Sequence, residues 1–479
     1  MAGTYYEKIA RINLTTGEIT AEQLDPEFAR DFIGGRGLGV KKLYDEGVAA
    51  ADPLSSENKL ILVTGPLTGA VAPSSGRYTL ATKSPVTGKI AASNSGGIWG
   101  VKLKYAGWDA VIIEGKASEW TYISIEDSSI RLHDARQYMG TMTTQLDEML
   151  KAKHGADSSV LNIGPAGENK SLLAAVMNDK IRAAGRGGIG AVMGAKNLKA
   201  IVVNTSRACL DTFADPDALK ASTMRALQTI KGNCASDIGL QSLSPHTLSS
   251  IIDRVGALPA RSWHLSGREQ ECQQLSLPGG CYRCPIACSR AGKTERQESN
   301  NPNIFDQCST LCNEYGLDTI GVHRTLAAAV ELHQQGRIIA HECAGVTLEW
   351  NSLLEWTKRI GNPQTELDRL MSSGAEHLCQ HYGVPENIRD KKAHSSLKAG
   401  SSRQFNRTAE DEKTMRDLTA VIDSLGQCLF PSSSLGVQEY ADLLNAAVGT
   451  SWTREQVLKI GDRIRIIEHM FNKDAGTIH

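Results

Sequence analysis

The 479-residue chain contains no apolar run near the ~18 residues of a membrane helix. Its opening stretch, Met1 to Leu14, has neither the apolar centre nor the small-residue cleavage site of a secretory leader. The expectation is a cytoplasmic protein with no membrane partner. An excess of charge of either sign is also lacking. The 52 Lys and Arg oppose 53 Asp and Glu, leaving a formal charge of −1, which argues against nucleic acid as the main partner. The 11 Cys are odd in number and sit in a chain of cytoplasmic character, so a fully paired disulfide set is not expected.

What is present reads as a large globular chain. Hydrophobic residues make up 41% and charged residues 22%. The length suits two to four domains, with ample core and no need for a stapling metal. Glycine is over-used: 45 copies, about 9% against a usual ~7%. Many are clustered, which marks turns or close backbone approaches.

Residues 1–210 read as a sheet domain. Lys59-Leu-Ile-Leu-Val-Thr-Gly65, Ala110-Val-Ile-Ile-Glu-Gly115 and Lys199-Ala-Ile-Val-Val-Asn204 are short β-branched runs ending at turn formers. Near residue 211 the pattern changes. Asp215-Pro216 is a helix start, residues 320–336 form an amphipathic stripe closed by Gly336, and Thr453-Arg-Glu-Gln456 is a capping box. Residues 211–415 and 416–479 are therefore expected to form two mainly helical domains above the sheet base, an α+β chain. The polar segment 390–415 is expected to be a loop. Asn313-Glu-Tyr-Gly-Leu-Asp318 and Asp423-Ser-Leu-Gly-Gln-Cys428 echo one another, which suggests duplicated binding corners.

The sharpest signal is Cys281-Tyr-Arg-Cys284-Pro-Ile-Ala-Cys288. Three thiolates spaced by two and then three residues can converge on an iron–sulfur cubane, which needs a fourth thiolate from elsewhere. Cys428, inside the second echo motif, is the chosen fourth ligand, with Cys308 and Cys312 as rivals. A zinc site, which takes two close Cys/His pairs, and an uncommitted Cys-rich loop stay open. Radical enzymes using adenosylmethionine carry the reverse spacing. Bispterin molybdenum enzymes carry a similar order, but near the N-terminus. The second signal is Arg182-Ala-Ala-Gly-Arg-Gly-Gly-Ile-Gly, which fits neither a Rossmann nor a Walker loop. Glycine N–H groups and arginine forks suit phosphate, and a tight turn before the following strand is the plainer alternative.

Together with Gly34-Gly-Arg-Gly-Leu-Gly39, Thr64-Gly-Pro-Leu-Thr-Gly69 and Leu258-Pro-Ala-Arg261, these motifs make the chain resemble the tungsten-containing aldehyde:ferredoxin oxidoreductase family. The resemblance implies a two-sheet base, two helical domains, and a tungsten or molybdenum bispterin beside a [4Fe–4S] cluster. It implies that Cys281, Cys284, Cys288 and Cys428 hold the cluster and that Arg77 bridges cluster and pterin. Asn94 and Ala183 would offer carbonyls to magnesium. Gly96 would lie in the cofactor-binding loop, Arg182, Gly185 and Arg186 would meet phosphates, and Asp318 and Asp423 would accept from the pterins. A small aldehyde and a ferredoxin-type carrier would be the partners, and homo-oligomerisation stays open.

The sequence departs from the family after Cys288, where no Glu-Tyr-Glu follows and only Glu295, Glu298 and Asp306 offer carboxylates. It also has Asn313 in place of Asp, and only a short polar segment around His394 where the family has a Gly-rich stretch with a metal-side His. Relatives also continue beyond Asn472. No catalytic residue is assigned on these grounds. A non-catalytic cofactor-binding or electron-transfer paralogue is the alternative to an oxidoreductase.

Overall fold

The computed structural model describes residues 4–208, 210, 212–232, 278–286, 289–290, 304–349, 352–384 and 409–478. Cys209, Cys234, Cys272, Cys288, Glu295, Glu298, His394 and residues 258–261 lie outside them, as does the side chain of Asp306.

The first half builds two six-stranded mixed sheets. One contains β1 (Lys8–Asn13), β2 (Ile19–Gln23), β3 (Leu60–Thr64), β4 (Tyr78–Lys83), β5 (Ile90–Ser95) and β6 (Ala110–Glu114), in the order β2-β1-β6-β3-β4-β5. The other contains β7 (Thr121–Glu126), β8 (Ser129–Asp134), β9 (Ser159–Asn162), β10 (Val176–Asn178), β11 (Arg182–Ala184) and β12 (Leu198–Asn204), in the order β11-β10-β9-β12-β7-β8.

The two sheets are copies of one plan. Each begins with an antiparallel hairpin, β1/β2 or β7/β8. Each continues through three antiparallel strands and closes with a strand parallel to the first, β6 on β1 or β12 on β7. The base is therefore an internal duplication, which the sequence signals only through the echo motifs and two Gly-Pro pairs, Gly65-Pro66 and Gly164-Pro165.

Alternation within strands makes the layers. Tyr78 and Leu80 on β4, with Leu60 and Leu62 on β3, face a core shared with Leu161, Val176 and Ile201 of the second sheet. The opposite faces bury Ile61, Val63 and Ala81 under helix Gly35–Asp45, and Val160, Ala200 and Val202 under helix Thr143–His154. Strands covered on both sides read as continuous apolar runs, so β3 is buried at all of its positions.

The remaining described chain is helical. Helix Thr319–Gln334 starts at Asp318, whose side chain accepts from Ile320 N. Helix Arg454–Asp474 starts at the Thr453 capping box. Helix Pro216–Gly232 starts after Asp215 as expected. One expectation is corrected: within 390–415, residues from Ala409 onward are helical, in Ala409–Leu425. Its first turn, Glu410-Asp-Glu412, complements the helix dipole while offering no apolar stripe, so periodicity misses it.

Candidate redox site at the two docked corners

The two echo motifs each turn off the end of a helix through a left-handed glycine, Gly316 (φ 70°) after Ile304–Tyr315 and Gly426 (φ 80°) after Ala409–Leu425. Each then docks on its own copy of the base. Gly316 O accepts from Ala175 N (2.8 Å), and Asp318 N donates to Leu173 O (2.8 Å). Gly426 O accepts from Arg77 N (3.1 Å), and Cys428 N donates to Ser74 O (3.1 Å). The Gly-Pro glycines permit this contact. A Cβ on Gly164 would overlap the Tyr315 carbonyl, and one on Gly65 would overlap Leu425. Much of the glycine excess serves such approaches: a Cβ on Gly35 would overlap the Asp423 carbonyl, and one on Gly194 the Gly167 carbonyl.

The cysteine loop lies against the second corner. A two-rung ribbon, Pro278–Gly279 with Ser289–Arg290, brackets it. Cys284 N donates to Cys281 O (3.1 Å), a tight turn that leaves both thiols outside any disulfide. Arg283 O accepts from Ser74 N (2.8 Å), and Ser74 Oγ donates to Cys284 Sγ (3.4 Å). A Cβ on Gly96 would stand 2.6 Å from Cys281 Sγ, so Gly96 makes room for that sulfur. Arg77 completes the set, with Nη2 donating to Cys428 Sγ (3.0 Å) and Nη1 to Asn94 Oδ1 (3.1 Å). Cys281, Cys284 and Cys428 are thus gathered around the Ser74–Arg77 turn, beside a cavity of about 450 Å³ lined in part by Pro73, Arg283 and Leu227. Cys308 and Cys312 sit instead in the helical core with Leu317 and Trp356, where burial raises both thiol pKa values.

The glycine–arginine segment borders the other corner. Arg182 and Ala183 lie on β11, the edge strand that meets β5, which carries Asn94. Gly185 has little around it, its nearest side chain being Asp318 Oδ1, 3.9 Å from an added Cβ, and Arg186 is exposed. The chain then turns into helix Ile189–Ala195, an element between turn and strand that the plainer sequence reading did not include.

Both motif carboxyls are pushed up by burial. Arg186 partly opposes this at Asp318. Arg36 opposes it at Asp423, donating to Asp423 Oδ2 (3.2 Å) while its Nε and Nη2 clasp Glu468 (2.7 and 2.9 Å). Arg36, Ser74 and Gln427 lie inside motifs noted in the sequence but were given no role there, and Glu468 and Thr79 carried no signal. Three buried polar atoms near this corner have no hydrogen-bond partner among the described residues: Asn94 Nδ2, Thr79 Oγ1 and Gln427 Oε1. Thr79 and Asn94 are paired across β4 and β5, and Gln427 adjoins Cys428. Among the described residues, no three His, Cys, Asp or Glu stand close enough to hold a single metal ion, and no helix is long and apolar enough to cross a membrane.

A duplicated sheet base with two docked helical corners defines a fold class shared with the active-site complex BamBC of benzoyl-coenzyme A reductase, solved with 1,5-dienoyl-CoA. That likeness has a TM-score of 0.81 at 21% identity and covers 99% of this chain and 90% of that one. The family is given by sequence. The model for the aldehyde ferredoxin oxidoreductase N-terminal domain matches residues 9–205, and that for domains 2 and 3 matches 299–399 and 387–478. The tungsten-containing aldehyde ferredoxin oxidoreductases of Pyrococcus furiosus and Pyrococcus abyssi are each 36% identical over 98% of this chain and 89% of the relative. The WOR-like subunit of an aliphatic sulfonate oxidoreductase of Pyrococcus furiosus is 29% identical over 74% of this chain and 64% of its own length. This chain belongs to the aldehyde ferredoxin oxidoreductase family. The first of these alignments runs over 539 positions against 479 residues here, so this chain carries internal gaps. The match to domains 2 and 3 breaks at 387–399, inside the polar segment around His394.

Proposed function

We propose that the protein oxidises a small aldehyde to its carboxylate at a tungsten or molybdenum bispterin and passes the electrons through a [4Fe–4S] cluster to a ferredoxin-type carrier. Aldehyde and water give carboxylate, three protons and two electrons. The observation that carries the reading is the Arg77 fork, which ties the sulfur of one docked corner to the edge of the sheet base. Cys281, Cys284, Cys288 and Cys428 would hold the cluster.

The donor set also fits the pterins. Asn94 Nδ2, Thr79 Oγ1 and Gln427 Oε1 are buried polar atoms of the kind a polar cofactor satisfies. Arg182, Gly185 and Arg186 would take the phosphates, and the Asn94 and Ala183 carbonyls, on adjoining edge strands, would face magnesium. Asp318 and Asp423 would accept from the pterin N–H groups. The bound group supplies the two-electron chemistry. This chain's part is to position it, to exclude water and to keep the Arg77 hydrogen bond to sulfur.

The test is viologen reduction by anaerobically purified full-length protein with a panel of aldehydes. Aldehyde-dependent reduction is expected. Inert protein that nevertheless contains cluster and pterin would favour the paralogue reading, which the missing Glu-Tyr-Glu motivates.

A further inference from the structure

Arg77 is held at its backbone by both neighbouring layers. Its N–H donates to Gly426 O (3.1 Å), and its carbonyl accepts from Thr68 Oγ1 (2.7 Å). These contacts fix where the residue starts, but a side chain with four rotatable bonds still has to aim its guanidinium. Nη1 donates to Asn94 Oδ1 (3.1 Å), leaving Nη2 directed at Cys428 Sγ (3.0 Å). The planar fork couples these contacts, so fixing one N–H fixes the direction of the other. Asn94 is itself anchored on β5, with its Cα opposite Thr79 of β4. Among the described residues its side chain hydrogen-bonds Arg77 and no cysteine, so its route to the Cys428 sulfur runs through Arg77.

We propose that the Asn94 side chain is a positioning residue: it orients the Arg77 guanidinium toward Cys428 Sγ and thereby raises the reduction potential of the cluster that sulfur ligates. A cationic N–H donated to a thiolate stabilises the more negative, reduced cluster, since hydrogen bonds to sulfur and local charge set these potentials. The inference rests on the reading that Cys428 ligates an iron–sulfur cluster. It concerns the amide side chain and is separate from the role given to the Asn94 backbone carbonyl, which an alanine retains.

The experiment is a redox titration of the cluster by electron paramagnetic resonance in full-length protein. Wild type, Asn94→Ala, Arg77→Met and the double variant form a cycle. At a fixed poise, Asn94→Ala is expected to lower the reduced-to-oxidised ratio by up to roughly tenfold, equivalent to about 59 mV for a one-electron couple. Arg77→Met should lower it at least as far. In the Arg77→Met background, Asn94→Ala should add nothing. An unchanged potential in Asn94→Ala overturns the proposal, as does a shift of equal size in both backgrounds. If Asn94→Ala loses its iron, Asn94→Ser, too short to reach Arg77, replaces it. Loss of iron or of fold in both variants also overturns the proposal, by making Asn94 a structural residue. Absence of any cluster signal in wild type is a separate outcome, which defeats the underlying reading itself.

Discussion

Single residues decide whether the sulfur atoms can gather. Gly96 leaves room for Cys281 Sγ, since an added Cβ would lie 2.6 Å away against a buried backbone. Gly96→Ala is therefore expected to lose most of its iron while retaining wild-type circular dichroism, checked by iron determination per chain. Arg36 is the counterpart for charge. Burial lifts the Asp423 carboxyl above the ordinary range even with Arg36 beside it. Arg36→Met removes the cation from two half-buried carboxylates, Asp423 and Glu468, and should cost about 2 kcal/mol, between a surface pair and a fully buried one. Without Arg36 the Asp423 pKa rises further, so the folded state holds that proton more tightly than the unfolded chain. Stability of the variant relative to wild type should thus fall as pH rises from the already raised wild-type value through the higher value of the variant, measured as urea midpoints across that span. At this scale the sequence was legible where spacing is local, as in Cys281 and Cys284. Arg36 with Asp423 met only on folding, because no short-range pattern encodes a partner 387 residues away.

Elements were legible wherever burial imposed a period. The Thr453 capping box, the Asp215-Pro216 start and the strands around Leu60–Thr64 and Leu198–Asn204 all formed as read. Residues 409–415 formed a helix against expectation, because propensity and an acidic first turn replaced an apolar stripe. The helices Ala409–Leu425 and Arg454–Asp474 cross at Gly461, where an added Cβ would overlap the Asp417 carbonyl, and Arg465 bonds Asp417 (2.5 Å) beside the crossing. Gly461→Ala should push the helices apart at a cost of about 1–3 kcal/mol, seen as a lowered thermal midpoint. Tilt of Ala409–Leu425 would also displace Asp423 and Cys428 at its end, so the variant should lose iron on mild heating before wild type does.

For the whole molecule, duplication is the organising fact. Two copies of one sheet plan each receive one helical corner through a Gly-Pro turn and a left-handed glycine. The sequence hinted at this only in the echo of residues 313–318 and 423–428 and in the two Gly-Pro pairs, because equivalent strands share topology and burial without sharing residues. The corners dock through separate contacts and are expected to loosen separately, which hydrogen exchange can resolve. Gly65→Ala should raise exchange in helix Ala409–Leu425 and spare helix Ile304–Tyr315, while Gly164→Ala should do the reverse. Uniform loosening by either variant would show that the corners do not dock separately. The corners differ in chemistry all the same: one ends in Asp318 capping a helix, the other in Asp423 paired with Arg36 and leading to Cys428 on Arg77. On the proposed function, that asymmetry would put the electron exit at the Cys428 corner. The most direct measurement is elemental analysis of anaerobically purified full-length protein. The expected result is about four iron per chain together with tungsten or molybdenum; zinc in place of iron, or iron with neither heavier metal, would contradict the assignment of the paired corners to a bispterin beside a cluster.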